Sequence, residues 1–522
     1  MPPHRFDLRL GVDVGGTNTD TVVIDRDDHL VGKAKMPTTP DVSSGIEASI
    51  QSVLALDAVD VSRITHVMLG TTHATNAVIE RRGLQRVAVI RIGSPATHSV
   101  RPLFGWPDDL RAAISIDETI VRGGIEFDGR EIVPFDADAV RRFLDGLGEP
   151  VDAVAITSVF APVSPRHELA AEEATRSVLG DVHVSLSHQV GSIGLLEREN
   201  ATVLNAALIG VAGQVSQALQ SALSAHGLSP VTFFAQNDGT LMALDYARRM
   251  PVLTIGSGPA NSLRGAAHLT GMDGGLVADI GGTSTDIGVL VDGFPRESAA
   301  GVEVGGVRTT FRMPDLVSIA LGGGTVVQEA DGNGIRIGPA STGQRLLQEG
   351  LIFGGATPTL TDAAVLDGRA ALGDATRGNG HRTLLRDAIE RADVLLAEAV
   401  DRIKTSRGDA PLVIVGGGSV IAPDALPGVS EIHRPEHFEV ASAFGAAIAM
   451  VSGQVDRVLH LEHGKRERLV DELCEEAKDR AVQAGADPEA VRIVELDEVP
   501  LTYLTGSPTR VRARAAGPMG AL

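Results

Sequence analysis

The sequence predicts an α/β protein of two similar lobes with a cleft between them and a small α+β appendage at the C-terminal end. Three observations carry this prediction. Short Val-, Ile- and Leu-rich runs bounded by Gly and Asp alternate with longer stretches of helical periodicity, as in α/β architecture. Aromatic residues are only 3% of the 522 residues and Gly is abundant at 60, so the core is aliphatic, as in a parallel sheet covered by helices. The third observation is a repeat. Gly11-Val-Asp13-Val-Gly15-Gly16-Thr17-Asn18-Thr19-Asp20 returns 266 residues later as Val277-Ala-Asp279-Ile-Gly281-Gly282-Thr283-Ser284-Thr285-Asp286. The spacing is far too long for a solenoid and points to a duplicated half-molecule.

Taken in order, Leu8–Asp13, Thr21–Ile24 and Leu30–Ala34 read as a β-meander with a turn over residues 25–29. Thr39-Pro40-Asp41 opens a helix in which Ile46, Ile50, Val53 and Leu54 share one face. Val67–Leu69 is a strand ending at Gly70-Thr71-Thr72. Further strands fall at Val87–Ile92, Val151–Thr157 and Val231–Phe234, with helices at Arg166–Val178 and Asn200–Ala225. In the second half, Val413–Val415 runs into Gly416-Gly417-Gly418-Ser419, and Phe444-Gly445-Ala446-Ala447 opens a small-residue helix. Beyond Val455 the texture changes to a charged amphipathic helix, Lys465–Ala484, and strands at Val491–Glu495 and Thr509–Ala515. The expected domains are an N-terminal lobe with an insertion (1–250), a C-terminal lobe (251–455) and the appendage (456–522).

Lys and Arg number 46 against 67 Asp and Glu, a formal net charge of −21. Such a surface repels nucleic acid and anionic membranes, and neither is expected as a partner. The single cysteine, Cys474, excludes an intrachain disulfide and a multi-cysteine metal site and fits a reducing compartment. No uninterrupted apolar run reaches 18 residues, and the first residues lack the apolar segment of a signal peptide, so the expectation is a cytoplasmic protein.

A Gly-Gly-Thr-x-Thr turn between two strands gathers backbone N–H groups and hydroxyls around one point, which suits phosphate without a lysine. Gly15, Gly16, Thr17, Asn18 and Thr19, with Gly281, Gly282, Thr283, Ser284 and Thr285, are therefore the candidate phosphate ligands. Asp13 and Asp279 end the preceding strands and are the candidate catalytic carboxylates, able to hold Mg2+ through waters. Asp20 and Asp286 either join the site or merely cap their turns. Rival nucleotide motifs fail: the chain has no Gly-x4-Gly-Lys-[Ser/Thr], and Gly256-Ser-Gly258-Pro259-Ala-Asn261 puts Pro and Asn where a dinucleotide turn requires other residues. Thr71, Thr72, His73, Asn76, Asn237 and Asp238 are candidates for the substrate side, with a capped helix start as the plain alternative. The remaining histidines form no ligand set; Pro435 separates His433 from His437.

These paired turns, with the later Gly-Gly-Gly-Ser turn, resemble the actin-like ATPase superfamily. Within it the chain is similar to the hydantoinase/oxoprolinase A-type family. The stretches that carry the resemblance are Gly11–Asp20, Gly70–Arg82, Ser257–Ala260, Asp279–Asp286, Leu321–Thr325 and Pro358–Asp362. The resemblance implies two actin-like (ribonuclease H-like) lobes, ATP and Mg2+ as cofactors, and Gly416, Gly417, Gly418, Ser419 and Gly445 against adenosine or ribose. It implies ATP-driven opening of a small cyclic amide, and a homo- or hetero-oligomer with a B-type hydantoinase subunit as partner. The same fold would also serve a small-molecule kinase, the ATP-using subunit of a ketone carboxylase, or a non-catalytic ATPase that reactivates another enzyme. Two departures stand out. Asp315-Leu316-Val317 lacks the His of the usual Asp-Ile-His, which leaves Asp315 as a structural or a ligand residue. Ser257-Gly-Pro-Ala-Asn261-Ser262 replaces the usual Ser-Gly-Pro-Ala-Ala-Gly.

Overall fold

The computed structural model describes residues 8–39, 42–191, 193–298, 301–311, 313–330, 334–459, 466–501 and 508–520. The chain opens with the expected meander. β1 (Leu8–Val14) pairs antiparallel with β2 (Asn18–Ile24), and β2 with β3 (Leu30–Pro37). Leu8, Leu10, Val12 and Val14 are buried along with Val22, Val23 and Ile24, because helices cover both faces of these strands. α1 (Val42–Leu54) buries Ile46, Ile50 and Val53 against them; Pro40 and Asp41, expected to open it, lie outside the described residues. β4 (Ile64–Thr71) runs parallel to β1 and leads directly into α2 (His73–Glu80).

An inserted α/β unit follows. β5 (Val87–Ser94), α3 (Asp108–Ile114), β6 (Ser115–Arg122), α4 (Ala137–Asp145), β7 (Ala153–Ser158), α5 (Arg166–Leu179), β8 (His183–Leu186) and α6 (Ser187–Val190) form a parallel sheet in the order β6-β5-β7-β8. The 31-residue α7 (Leu195–Ala225) ties this unit to the first lobe. By length and composition α7 is apolar enough to cross a membrane, yet most of it is buried in the core. Three consecutive polar residues near its start explain the docking. Arg198 donates to the Ser158 carbonyl at 2.6 Å, Glu199 accepts two 2.6 Å bonds from the buried Arg91, and Asn200 accepts from Trp106 Nε1 at 2.7 Å. β9 (Val231–Ala235), β10 (Leu241–Ala243) and α8 (Leu244–Arg249) complete this part of the chain.

The second lobe begins with α9 (Ser257–Thr270) and repeats the opening design. β11 (Gly275–Ile280) pairs antiparallel with β12 (Thr285–Val291), followed by β13 (Phe294–Pro295). An arm carrying β14 (Glu303–Val304) and β15 (Val307–Arg308) reaches back to the first lobe, where Arg81 Nη2 donates to Gly305 O at 3.2 Å. β16 (Leu316–Ile319) pairs with β12, and β17 (Thr325–Ala330) pairs with β18 (Gly334–Ser341). After the short α10 (Leu346–Glu349), α11 (Leu360–Leu366) and α12 (Arg382–Ile403) cover one face; α11 opens with a capping box between Thr359 and Asp362. β19 (Ala410–Val415) and β20 (Val429–His433) finish the sheet in the order β13-β12-β11-β19-β20.

α13 (Ala441–Ile448) then crosses α9 backbone to backbone. A Cβ on Gly265 would strike the Ala441 carbonyl, and one on Gly445 would strike the Asn261 carbonyl. Gly445 was expected against adenosine or ribose. It lies at this crossing, where only a residue without Cβ allows the two helices to touch.

The segment expected as an appendage is the far edge of the first lobe's sheet. β21 (Val451–Leu459) runs through the expected boundary at residue 456, followed by α14 (Arg466–Gln483), β22 (Arg492–Pro500) and β23 (Thr509–Gly517). β21 pairs with β10 at Leu241↔Val451 and with β23 from Val451↔Gly517 to Leu459↔Thr509. The result is one nine-stranded sheet, β22-β23-β21-β10-β9-β4-β1-β2-β3, with Val455, Val511, Ala513 and Ala515 in the first lobe's core.

Candidate active site

The two repeated turns have the same local geometry. In the first, Asp13 pairs with Asp20 and Val14 with Thr19, and Gly15 N donates to Asn18 O at 3.0 Å. In the second, Asp279 pairs with Asp286 and Ile280 with Thr285, and Gly281 N donates to Ser284 O at 2.9 Å. The turns meet: a Cβ on Gly282 would stand 3.1 Å from both Cγ2 and Oγ1 of Thr17. Asn18, Thr283 and Ser284 lie around this contact on the two turns, with Asn18 partly exposed and Thr283 and Ser284 exposed.

Two glycine-rich loops are stacked on the second hairpin. Gly323 N donates to Gly281 O at 3.0 Å and Gly324 N to Gly282 O at 2.7 Å, and a Cβ on Gly322 would stand 2.6 Å from Thr283 N. From the other side, Gly418 N donates to Ile280 O at 2.7 Å, while Gly416, at φ +90°, passes against the Asp279 carboxylate. Gly417 faces Lys35 of the first lobe, where an added Cβ would stand 3.3 Å from Lys35 Cε, and Ser419 is buried behind it. Of the residues expected near adenosine, Gly416 and Gly418 are thus committed to packing on the hairpin backbone.

The four hairpin aspartates share a low-dielectric setting. Burial pushes the Asp13 carboxyl up to about 7; the Ser442 hydroxyl opposes this, while Asp20 and Asp279 add to it and Lys35 opposes it. Asp279 is raised by burial against the opposing bond from Ser262 Oγ at 2.5 Å. Asp20 is raised by burial and held by Lys35 Nζ at 2.7 and 2.8 Å. Burial pushes Asp286 up to about 6, and its partner is the Ser318 hydroxyl. Lys35, Ser318 and Ser442 are not singled out by the sequence, and Ser262 stands out there only as a departure from the family's loop, with no role attached. Only Lys35 carried a usable signal, as the residue opposite Asp20 in an antiparallel register.

The expected substrate residues divide. Thr71, Thr72, His73 and Asn76 cluster at the first hairpin: Thr72 N donates to Val14 O at 3.2 Å, and His73 N donates to Thr71 Oγ1 at 3.1 Å. Asn76 Nδ2 reaches Thr72 Oγ1 at 3.4 Å, and burial lowers the His73 pKa. Asn237 is not free for substrate. Its Oδ1 accepts from Gly256 N at 2.7 Å and its Nδ2 donates to Val252 O at 3.1 Å, which fixes the approach to α9. Asp238 accepts from Thr240 Oγ1 at 2.6 Å, pairs with Arg514 at 3.3 Å, and lines a separate cavity of about 1350 Å³. That cavity lies between the insertion, residues 291–311 and the C-terminal strands, and no residue of 13–20 or 279–286 lines it. Asp315 is in an ion pair with Arg296 at 2.5 Å, a structural role.

Twin hairpins from separate sheets, meeting in front of two crossing helices, define an actin-like ATPase fold. A crystal structure of the ATP-dependent caprolactamase from Pseudomonas jessenii superposes with a TM-score of 0.74 at 21% identity, covering 98% of this chain and 89% of that one. Residues 9–179 match the family model of the hydantoinase/oxoprolinase N-terminal region, and residues 198–401 match that of hydantoinase/oxoprolinase. The chain belongs to the hydantoinase/oxoprolinase family. Among its curated relatives, the caprolactamase subunit alpha of Pseudomonas jessenii is 28% identical over 463 residues, 84% of this chain and 65% of that protein. The acetophenone carboxylase gamma subunit of Aromatoleum aromaticum is 28% identical over 399 residues, 69% of this chain and 53% of that protein. The chain therefore spans less than two thirds of the length of these relatives. The family includes an ATP-dependent caprolactamase and carboxylase subunits.

Proposed function

We propose that the chain binds ATP between its two hairpins and uses it to open the ring of a lactam or hydantoin. The observation that carries this reading is the contact between Thr17 and Gly282, which brings two phosphate-type turns and four carboxylates to one place. Asp13 and Asp279 would hold Mg2+ through waters. Asp13 is buried and Asp279 half-buried, and Asp13 Oδ1 has no hydrogen-bond partner among the described residues, a donor set suited to a hard cation. When bound, the ion would neutralise charge on the triphosphate.

A ring amide resists water because resonance protects its carbon and its nitrogen leaves poorly. In the proposed reaction the amide oxygen attacks the γ-phosphorus and the bond to ADP breaks. Water adds to the activated carbon, the carbon–nitrogen bond breaks, and the nitrogen takes up a proton. A second water hydrolyses the resulting acyl phosphate, so one lactam, one ATP and two waters give an amino acid, ADP and phosphate. The turn N–H groups and hydroxyls of residues 15–19 and 281–285 would position the transferring group, which is most of what such catalysis requires.

The test is a screen of lactams, hydantoins and 5-oxoproline with ATP and Mg2+. Ring-opened product and phosphate in equal amounts support the reading. A stable phosphorylated product would replace it with a kinase. The likeness to a carboxylase gamma subunit favours a second reading, so the screen includes ketones with bicarbonate. Because the relatives bear subunit names, we also propose that a B-type partner chain completes the activity, and the screen is repeated with one added.

A further inference from the structure

Asn261 is fully buried, and neither its Oδ1 nor its Nδ2 has a hydrogen-bond partner among the described residues. Such an amide is costly unless something else requires it. Its surroundings indicate what does. A Cβ on Gly70 would strike Asn261 Nδ2 and stand 2.6 Å from Asp13 Oδ1, itself unpartnered, so the two atoms are no more than about 5 Å apart. Gly70 is the residue beside Asp13 in the parallel β1–β4 register, and its missing side chain leaves the space between them open.

The next residue of α9 provides the comparison. Ser262 donates to Asp279 Oδ2 at 2.5 Å, so one helix presents adjacent side chains to the leading carboxyls of both hairpins. Ser262 already holds its carboxyl and Asn261 does not. The other groups around Asp13 are Ser442 on α13, Asp20 on β2, Lys35 on β3 and Asp279 on β11. None of them occupies Oδ1.

We infer that Asn261 is a positioning residue for Asp13: its Nδ2 closes on Oδ1 when a ligand fills the site, as Ser262 already holds Asp279. In the ligand-free protein the amide stays unpartnered and lowers stability; in the loaded site it fixes the carboxyl. This rests on the reading of the hairpins as the nucleotide site.

The experiment uses the full chain, with melting followed by circular dichroism and MgATP binding by calorimetry. Asn261→Leu keeps the bulk and removes the amide. It is expected to melt at or slightly above the wild-type temperature without ligand, by up to roughly 2 °C, and to bind MgATP roughly tenfold more weakly. Ser262→Ala is expected to weaken binding to a similar extent while lowering the melting temperature, because it removes a bond already made. Should Asn261→Leu misfold, Asn261→Ala carries the same binding expectation. Lower melting with unchanged affinity in both Asn261 variants would make the residue a packing element and overturn the inference. A wild-type chain that does not bind MgATP would overturn the nucleotide reading instead, and the melting comparison would still decide whether the buried amide is a stability cost.

Discussion

In the first hairpin Asp20 faces Lys35 across the β2–β3 pair; in the second Asp286 faces Ser318 across β12–β16. The two repeats share their backbone geometry, yet a cation stands at the position in one where a hydroxyl stands in the other. The leading carboxyls differ in the same way, since Asp279 is bonded by Ser262 while Asp13 keeps an unpartnered oxygen. Duplication thus supplied two turns of one shape, and the neighbouring strands and helices gave each its own electrostatics. A cation beside a buried carboxylate favours its charged form, whereas burial with only a neutral donor favours the proton.

The sharpest way to break this comparison is to remove each leading carboxyl in turn. Asp13→Asn and Asp279→Asn are each expected to lower lactam-stimulated phosphate release by at least about 100-fold, as when a group acting on transferring phosphate is lost. Release is measured on the same panel of ring amides. Full turnover in either variant would mean that only one hairpin acts on the phosphate.

A second difference concerns crowding. Gly416 presses on Asp279 and Ile280 at φ +90°, whereas a Cβ on Gly16 would meet nothing within 4 Å. Gly416→Ala is expected to destabilise the protein by roughly 2–4 kcal/mol, through backbone strain and a clash that no side chain can relieve. Gly16→Ala should stay within about 0.5 kcal/mol. Denaturant melts of the two variants compare the packed hairpin with the open one, and equal losses would remove the distinction.

Local pattern made much of the fold legible in advance. The first strand, expected over Leu8–Asp13, is found at Leu8–Val14, and the helix expected over Arg166–Val178 is found at Arg166–Leu179, because alternation and helical periodicity are written within each segment. Pairing across long stretches of chain is not written that way. Residues 456–522 read as an appendage because nothing near them signals that β21 will join β10, over two hundred residues earlier. The site shows the same limit. The repeat exposes Asp13 and Asp279, but Ser318 and Ser442 act from elements brought alongside by tertiary packing, and a lone serine has no sequence signature; Ser262 shows only as a departure of its loop from the family pattern, which does not reveal its partner. Gly445 shows a related limit: a glycine at a helix crossing and one beside a nucleotide look alike in sequence.

The effects at the outer pair, Asp20 and Asp286, are smaller than those at the leading carboxyls and Gly416, and they have opposite signs. A carboxyl raised above its unfolded value keeps a proton that the unfolded chain has already lost. Its contribution is complete below about pH 4 and is lost as pH rises through the folded value, which for Asp286 is about 6. Asp286→Asn removes that loss. It should raise stability at pH 8 by on the order of 1 kcal/mol, the half-buried position moderating the gain, and by about half as much at pH 5. Lys35→Met acts the other way on Asp20. Without the cation, burial is unopposed, the carboxyl moves further up, and stability falls more steeply between pH 5 and 8, by roughly 1–3 kcal/mol at the upper end. Melting both variants at the two pH values reads the contrast directly. If Lys35→Met were as stable at pH 8 as at pH 5 relative to wild type, Lys35 would not be the group that separates the two hairpins, and the difference would have to reside in Ser318.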